Sequence, residues 1–418
     1  MSQKHSMEGV GMTIYEHFGV KPIINVSGTM TRYGGALMEE KPLKAMDEAA
    51  KYSVRLDELQ AAASKIIAEK THAEAGIVTA GAYAALLLGT AACICRFDVA
   101  RMNRLPDTAG VPNEVIMPWH QISGFDHAIR AAGARIIGVG IPNDTTPPND
   151  VHIISRWDIA SAITENTVAI AYAPRLDNHP PLEEVIETGK KYNIPVMIDA
   201  AALVPVVENL HRFIDMGAEL VCFSGGKGIL GPQASGILCG QRDLVASAAI
   251  QMLDMGGEPF DTWDPPASLI PKEKLRGKPE HGIGRGMKVS KEAVIGLLVA
   301  LENLTEERFA ERVKHLRELL WSVNAHVKCI DGVELRMTDD KGAYPMLEVK
   351  IDENVVGASA AKIYQRLKEK GVYVRDMQLN KGLIHIHSIN INEEVARIVS
   401  EHLYSALTVQ VKSKTKGV

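Results

Sequence analysis

The segment FSGGKGILGPQASG (223–236) sets one lysine, Lys227, among five glycines directly after a wholly apolar run. A primary amine at the end of a buried strand becomes a nucleophile when its surroundings lower its pKa, and an aldehyde is its natural target. Two phosphate-binding patterns compete for these residues, and spacing tests both. The pattern G-x-x-x-x-G-K-[ST] needs a glycine where Val221 stands and a hydroxyl where Gly228 stands, so it fails. Gly226, Gly228 and Gly231 satisfy G-x-G-x-x-G, but Pro232 and the strand-like ASGILCG predict a hairpin where the dinucleotide fingerprint needs a helix. A surface lysine in a mobile glycine-rich turn would leave the same trace, so its partners decide the reading.

Asp199 closes the apolar run IPVMID (194–199), one helix-like and one strand-like segment before Lys227. That interval fits a single crossover, which returns both residues to the rim of a parallel sheet where open α/β sheets bind ligands. A carboxylate there can keep a pyridine nitrogen protonated, which is what lets pyridoxal phosphate act as an electron sink. Capping the helix that follows is the competing role. In VTAGAYAALLLGTAA (78–92), Gly81, Ala82 and Tyr83 stand where a strand-like run gives way to a helix, whose free first-turn N–H groups suit a phosphate. Small residues at such a junction also serve close packing alone. Lysine, aspartate and turn together describe one site, for pyridoxal 5'-phosphate.

The elements that must position these residues alternate in the manner of a mainly parallel sheet with crossover helices. Strands are expected at 75–80, 114–119, 135–141, 167–174, 194–199, 219–225 and 234–240, with helices at 56–70, 82–96, 125–133, 181–193 and 207–217. The fold class is α/β, a seven-stranded-type sheet with helices on both faces, followed by a smaller α+β C-terminal domain. Residues 1–50 are expected to pack on both parts, 51–290 to form the large domain and 291–418 the small one. A Gly-, Pro- and charge-rich stretch beginning near 256 reads as a long loop or lid, and 290–327 as one long helix leading into the small domain.

Composition narrows the function class. The 418 residues carry 46 Lys+Arg against 51 Asp+Glu, a formal charge of −5, with no footprint for nucleic acid or an anionic membrane. Small ligands are the expected partners. Five cysteines without framework spacing, and no basic-then-apolar leader, point to a reducing cytoplasm. Apolar stretches fall short of the roughly 18 to 20 residues that span a bilayer. His385 and His387 share a strand face without an acidic or cysteine partner, and Cys93 and Cys95 form no redox or metal pair, so no metal site is expected.

The order of these elements, with KPIINVSGTMTRYGG (21–35) upstream and IGRGMKVSKEAVIGLLVALE (283–302) downstream, resembles the fold-type-I pyridoxal-phosphate enzymes of the selenocysteine synthase (seryl-tRNA selenium transferase)-like group. Within that group it resembles the shorter D-glucosaminate-6-phosphate ammonia-lyase-type relatives. The resemblance implies that Lys227 carries the cofactor, that Asp199 meets its pyridine nitrogen, and that Gly81, Ala82 and Ser224 help hold its phosphate. It implies a residue stacked on the ring, for which His120 is the candidate and His127 the competitor. Arg285 and Lys288 match basic positions that reach a phosphate or substrate anion. Arg32 and Arg375 are offered for the substrate carboxylate, against the surface ion pair that a lone arginine commonly makes. A homodimer or larger homo-oligomer is implied. The tRNA-binding region of selenocysteine synthase has no counterpart in the about 20 residues before the match, so tRNA is not an expected partner.

The expected reaction lies at the α-carbon of a small, anionic or hydroxylated amino acid. Lys227, once displaced by the substrate amine, removes the α-proton. A β-hydroxyl then leaves as water, and hydrolysis yields a 2-oxo acid and ammonia. A racemase or epimerase, an aminotransferase and a non-catalytic scaffold subunit are the alternatives.

Overall fold

A computed structural model describes residues 13–140, 154–174, 179–338 and 344–408. These belong to two compact units, one of residues 36–309 and one drawn from 1–35 and 310–418. Among the described residues the strands run in chain order β1 (Ile24–Val26), β2 (Ala75–Thr79), β3 (Glu114–Pro118), β4 (Arg135–Val139), β5 (Thr167–Tyr172), β6 (Val196–Asp199), β7 (Leu220–Ser224), β8 (Gly236–Gly240), β9 (Val333–Thr338), β10 (Met346–Ile351), β11 (Val372–Val374) and β12 (Leu383–His387).

The larger unit is built on one seven-stranded sheet, ordered β2-β8-β7-β6-β5-β3-β4. All neighbours pair in parallel except β8, which runs antiparallel to both β2 and β7. The α/β class with a mainly parallel sheet is therefore as expected. Strands such as LVCFS and GILCG lack polar alternation because both faces are covered. Helix Ala82–Cys95 is buried along almost its whole length. It lies close to the sheet because Gly89 has no side chain: a Cβ there would stand 2.8 Å from Met197 Sδ. The last residue foreseen in β4, Ile141, lies outside the described residues.

Three expectations change. The helix foreseen over 290–327 is two helices, Lys291–Asn303 and Glu306–Val327. The break has a local cause: Leu304 turns extended, and the Thr305 hydroxyl accepts from Arg308 N at 3.3 Å, as an N-cap does. The division between the units falls after Phe309 instead of Ser290, and residues 36–50 join the sheet unit, where helix Glu40–Ala49 packs on helix Lys291–Asn303. The stretch after 256 is not a free lid. Trp263, Leu269, Ile270 and Leu275 are buried in the main core, and Lys272 Nζ donates to the Trp263 carbonyl.

The smaller unit is α+β, as expected. Strand β10 runs antiparallel between β9 and β12, and β1 pairs in parallel with β11. The two strand histidines have separate structural roles. His385 Nε2 lies 3.2 Å from Glu348, while His387 Nδ1 accepts from Ile389 N at 3.1 Å. Burial, with some help from Arg375, lowers the His387 pKa to about 4, so this imidazole is neutral at neutral pH. Among the described residues no helix is long and apolar enough to cross a membrane.

Candidate active site

The chain leaves β7 at Ser224, turns through residues 225–235 and returns antiparallel as β8. Gly225 N donates to Ser235 O at 2.8 Å, Gly231 N to Gly225 O at 2.8 Å, and Leu230 N to Lys227 O at 3.1 Å. The glycines serve contact here, not motion. A Cβ on Gly228 would stand 2.2 Å from the Val204 carbonyl oxygen, one on Gly226 2.4 Å from Gln233 Cα, and one on Gly225 2.7 Å from Leu297 Cδ1. Helix Lys291–Asn303, through Leu297, thus backs the turn that carries Lys227. The mobile surface turn is excluded, as is the dinucleotide fingerprint, because no helix opens there.

Lys227 is half-buried. Burial lowers its pKa below the ordinary lysine value, and the Asp199 carboxylate pulls it part of the way back. This balance follows from topology: β6 and β7 are adjacent parallel strands with Asp199 opposite Cys222, so Asp199 and Lys227 emerge at one rim. Asp199 is half-buried, and its Oδ1 accepts from Ala201 N at 3.1 Å. It caps no helix, since the next, Asn209–Met216, starts behind Glu208.

Strand β2 ends at the same rim, where Gly81, at φ +90°, is the N-cap of helix Ala82–Cys95. No side chain caps that helix, so its first-turn N–H groups keep their donors for an anion. Thr79 Oγ1 donates to Gly81 O at 2.9 Å and fixes the turn. Gly236 of β8 lies opposite both Thr79 and Ser224, which joins the turn to the lysine hairpin. Ala82 and Ser224 are half-buried at this junction, whereas Tyr83 is 43 % exposed.

His120 occupies a 3₁₀ turn, Trp119–Gln121, directly after β3. It is half-buried with Nε2 shielded from solvent, whereas its competitor His127 is exposed. The next residue was not singled out from sequence. Gln121 Oε1 accepts from Ala173 N at 2.8 Å, which ties the His120 turn to the end of β5. Gln121 also lines a cavity with Asp126, Tyr172, Met197 and Asp199. Burial pushes the Tyr172 phenol up to about 12, and it stays a donor, to Pro180 O at 2.6 Å. The only sequence signal for this wall was that β3 and β5 end at the same rim.

The basic candidates separate. Arg285 and Lys288 line a different cavity of about 340 Å³, with Gln60, Ser290 and Asp254, and share it with neither Asp199 nor Lys227. Arg285 Nη2 is held by Asp254 at 2.6 Å. Arg32 and Arg375 belong to the smaller unit. Arg32 pairs with Asp376 at 3.1 Å and lies over the Tyr33 ring, as a surface arginine does. Arg375 is half-buried and makes no salt bridge among the described residues.

A deprotonation-prone lysine, a carboxylate on the neighbouring strand end and an uncapped helix turn at one rim fit the aldehyde, pyridine nitrogen and phosphate of pyridoxal phosphate. Such a site on a mainly parallel sheet defines a fold-type-I pyridoxal-phosphate enzyme. The chain belongs to the aminotransferase class-V family, whose profile matches residues 144–382. It is 30% identical over 400 residues to a Streptomyces protein described as 5'-C-glycyluridine monooxygenase-decarboxylase, covering 91% of this chain and 87% of the relative. It is 27% identical over 402 residues to D-glucosaminate-6-phosphate ammonia lyase of Salmonella typhimurium, covering 93% and 96%. A solved structure of D-glucosaminate-6-phosphate ammonia-lyase superposes with a TM-score of 0.75 at 25% identity, covering 95% of this chain and 99% of that one. The L-seryl-tRNA(Sec) selenium transferase of Mannheimia succiniciproducens matches over 54% of this chain and 50% of its own length, at 28% identity.

The Gly236 contact gives a direct test of the joined turn. A Cβ at this position would stand 2.5 Å from the Gly81 carbonyl carbon. Backbone cannot yield as a side-chain tip does, so Gly236→Ala should weaken cofactor binding by about fivefold to 100-fold, as expected for an overpacking clash of about 1–3 kcal/mol. Cofactor dissociation followed by visible absorbance reads this; unchanged affinity would show that the two segments do not share one site.

Proposed function

We propose that this enzyme catalyses α,β-elimination of ammonia-lyase type on a small, anionic or hydroxylated amino acid whose β-hydroxyl leaves as water, hydrolysis of the unsaturated product then giving a 2-oxo acid and ammonia. The carrying observation is Lys227, half-buried with a lowered pKa at the rim where Asp199 ends β6. Bound pyridoxal phosphate supplies an electron sink for charge developing at the substrate α-carbon. Lys227 would hold the cofactor, and once free would take the α-proton, a role its lowered pKa suits. Asp199 would keep the pyridine nitrogen protonated, Gly81, Ala82 and Ser224 would hold the phosphate, and His120 would border the ring. Similarity to the ammonia lyase over nearly the whole of both chains supports elimination.

Loss of CO2 from the α-carbon is the second reading, favoured by the 30% identity to a relative described as a monooxygenase-decarboxylase. Incubation with candidate amino acids in D2O separates the readings. A 2-oxo acid with stoichiometric ammonia supports elimination, whereas CO2 release without it supports decarboxylation. Deuterated, racemised substrate or a need for an amino acceptor would replace both with racemisation or transamination.

A cytoplasmic homodimer or larger homo-oligomer is part of the proposal. Exposed Tyr52 and Val54, which line a cavity with Ala45, Ala49 and Ile295, together with exposed Leu43 and Leu56, support self-association.

A further inference from the structure

His72 ends helix Leu56–Thr71 in the left-handed conformation, φ +57°, a position where glycine is the common choice. His211 and Asp215 lie one turn apart on helix Asn209–Met216, which packs against that helix. The Asp215 carboxylate bridges the Nδ1 edges of the two imidazoles, Oδ1 at 2.9 Å from His72 Nδ1 and Oδ2 at 2.7 Å from His211 Nδ1. The rings stack with centroids 4.4 Å apart and 26° between planes. One ligand atom from each of the three residues falls within 4.8 Å of the others.

From this geometry we propose that His72, His211 and Asp215 form a divalent transition-metal site that clamps the two helices together. Two imidazoles and one carboxylate are a donor set suited to Zn(II) or Co(II), with the remaining positions left to water. Atoms bound at about 2.0–2.1 Å around a tetrahedral ion stand about 3.3 Å apart. The 2.9 and 2.7 Å nitrogen–oxygen separations therefore open by about half an ångström, and the two stacked imidazoles turn about their side-chain bonds so that a nitrogen of each faces the ion. All three side chains reach solvent, so ion and water can enter.

The site is independent of the cofactor. His72 precedes β2 and helix Asn209–Met216 precedes β7, so the cluster lies at the N-terminal rim of the sheet, opposite the ends that carry Thr79, Asp199 and Lys227.

The test uses tag-free, cofactor-loaded protein titrated with Co(II) and then Zn(II), with Cys329→Ser as background because Cys329 is the exposed cysteine among the described residues. The expected result is one Co(II) per chain with visible ligand-field bands, displaced by Zn(II), and a higher Tm in Zn(II). His211→Ala and Asp215→Asn should each weaken binding at least about tenfold, and His72→Asn should do the same while retaining the left-handed backbone. The cofactor's own absorbance should be unchanged in all three. No Co(II) uptake, or uptake of equal affinity in the His211 and Asp215 variants, would overturn the proposal.

Discussion

Lys227→Ala should abolish the visible absorbance of lysine-bound cofactor and lower turnover at least about 10³-fold, since it removes the residue proposed as both covalent anchor and base. The fold should survive, because the turn around Lys227 is held by backbone hydrogen bonds and glycine contacts that the side chain does not make. Far-ultraviolet circular dichroism would check the fold, and partial recovery of turnover with added methylamine would identify the missing amine. A full-strength band in the variant would remove Lys227 from the proposed chemistry.

The same residue carries a stability signature of opposite sign. Burial lowers the Lys227 pKa in the folded apoprotein below its unfolded value near 10.5. Below the folded pKa the lysine is charged in both states, and the folded state bears the penalty; above 10.5 it is neutral in both and the penalty is gone. Lys227→Met apoprotein should therefore melt above wild-type apoprotein at neutral pH, and the difference should shrink as pH rises from the folded pKa towards 10.5. A lower-melting Met variant at neutral pH would contradict the assigned burial penalty.

Asp199→Asn has the second-largest expected effect, a loss of about 10²-fold in turnover with cofactor retained. A hydrogen bond to a charged group contributes about 1.5–3 kcal/mol, and each 1.36 kcal/mol is tenfold in rate. The substitution keeps a similar shape but removes the charge proposed to hold a ring nitrogen protonated. It also removes the attraction that partly restores the Lys227 pKa, so that pKa should fall further. Lys227 in apo Asp199→Asn should react faster with an amine-acylating reagent at neutral pH, read by peptide mass spectrometry. Unchanged labelling together with unchanged turnover would separate Asp199 from the site.

The parallel strands were legible because burial on both faces leaves continuous apolar runs, and strand ends mark one rim. Asp199 and Lys227 could be placed together from that alone, as could the turn at Gly81. The glycines near Lys227 were legible as a group but not in purpose, because flexibility and close packing leave the same letters. The break at Leu304–Thr305 carried a local cue, Thr followed by two glutamates, which the strong apolar periodicity on both sides masked. Gln121, Tyr172 and Asp126 could not be joined beforehand, since their meeting depends on how β3 and β5 register. His72 and Asp215 are far apart in sequence and meet only when two helices pack.

Strand β8 lies between β2 and β7, and Gly236 faces Thr79 on one side and Ser224 on the other. An amide turn near residue 81 and an amine at 227 are thus brought together by a late-arriving strand that closes a very long loop. Such closures are slow, because chain entropy is lost before any contact compensates it. During synthesis, the first two hundred residues therefore lack a complete cofactor pocket. Bound pyridoxal phosphate would hold groups from either side of β8 together, and so would favour the assembled sheet over any state in which that strand, next to the edge, has left it.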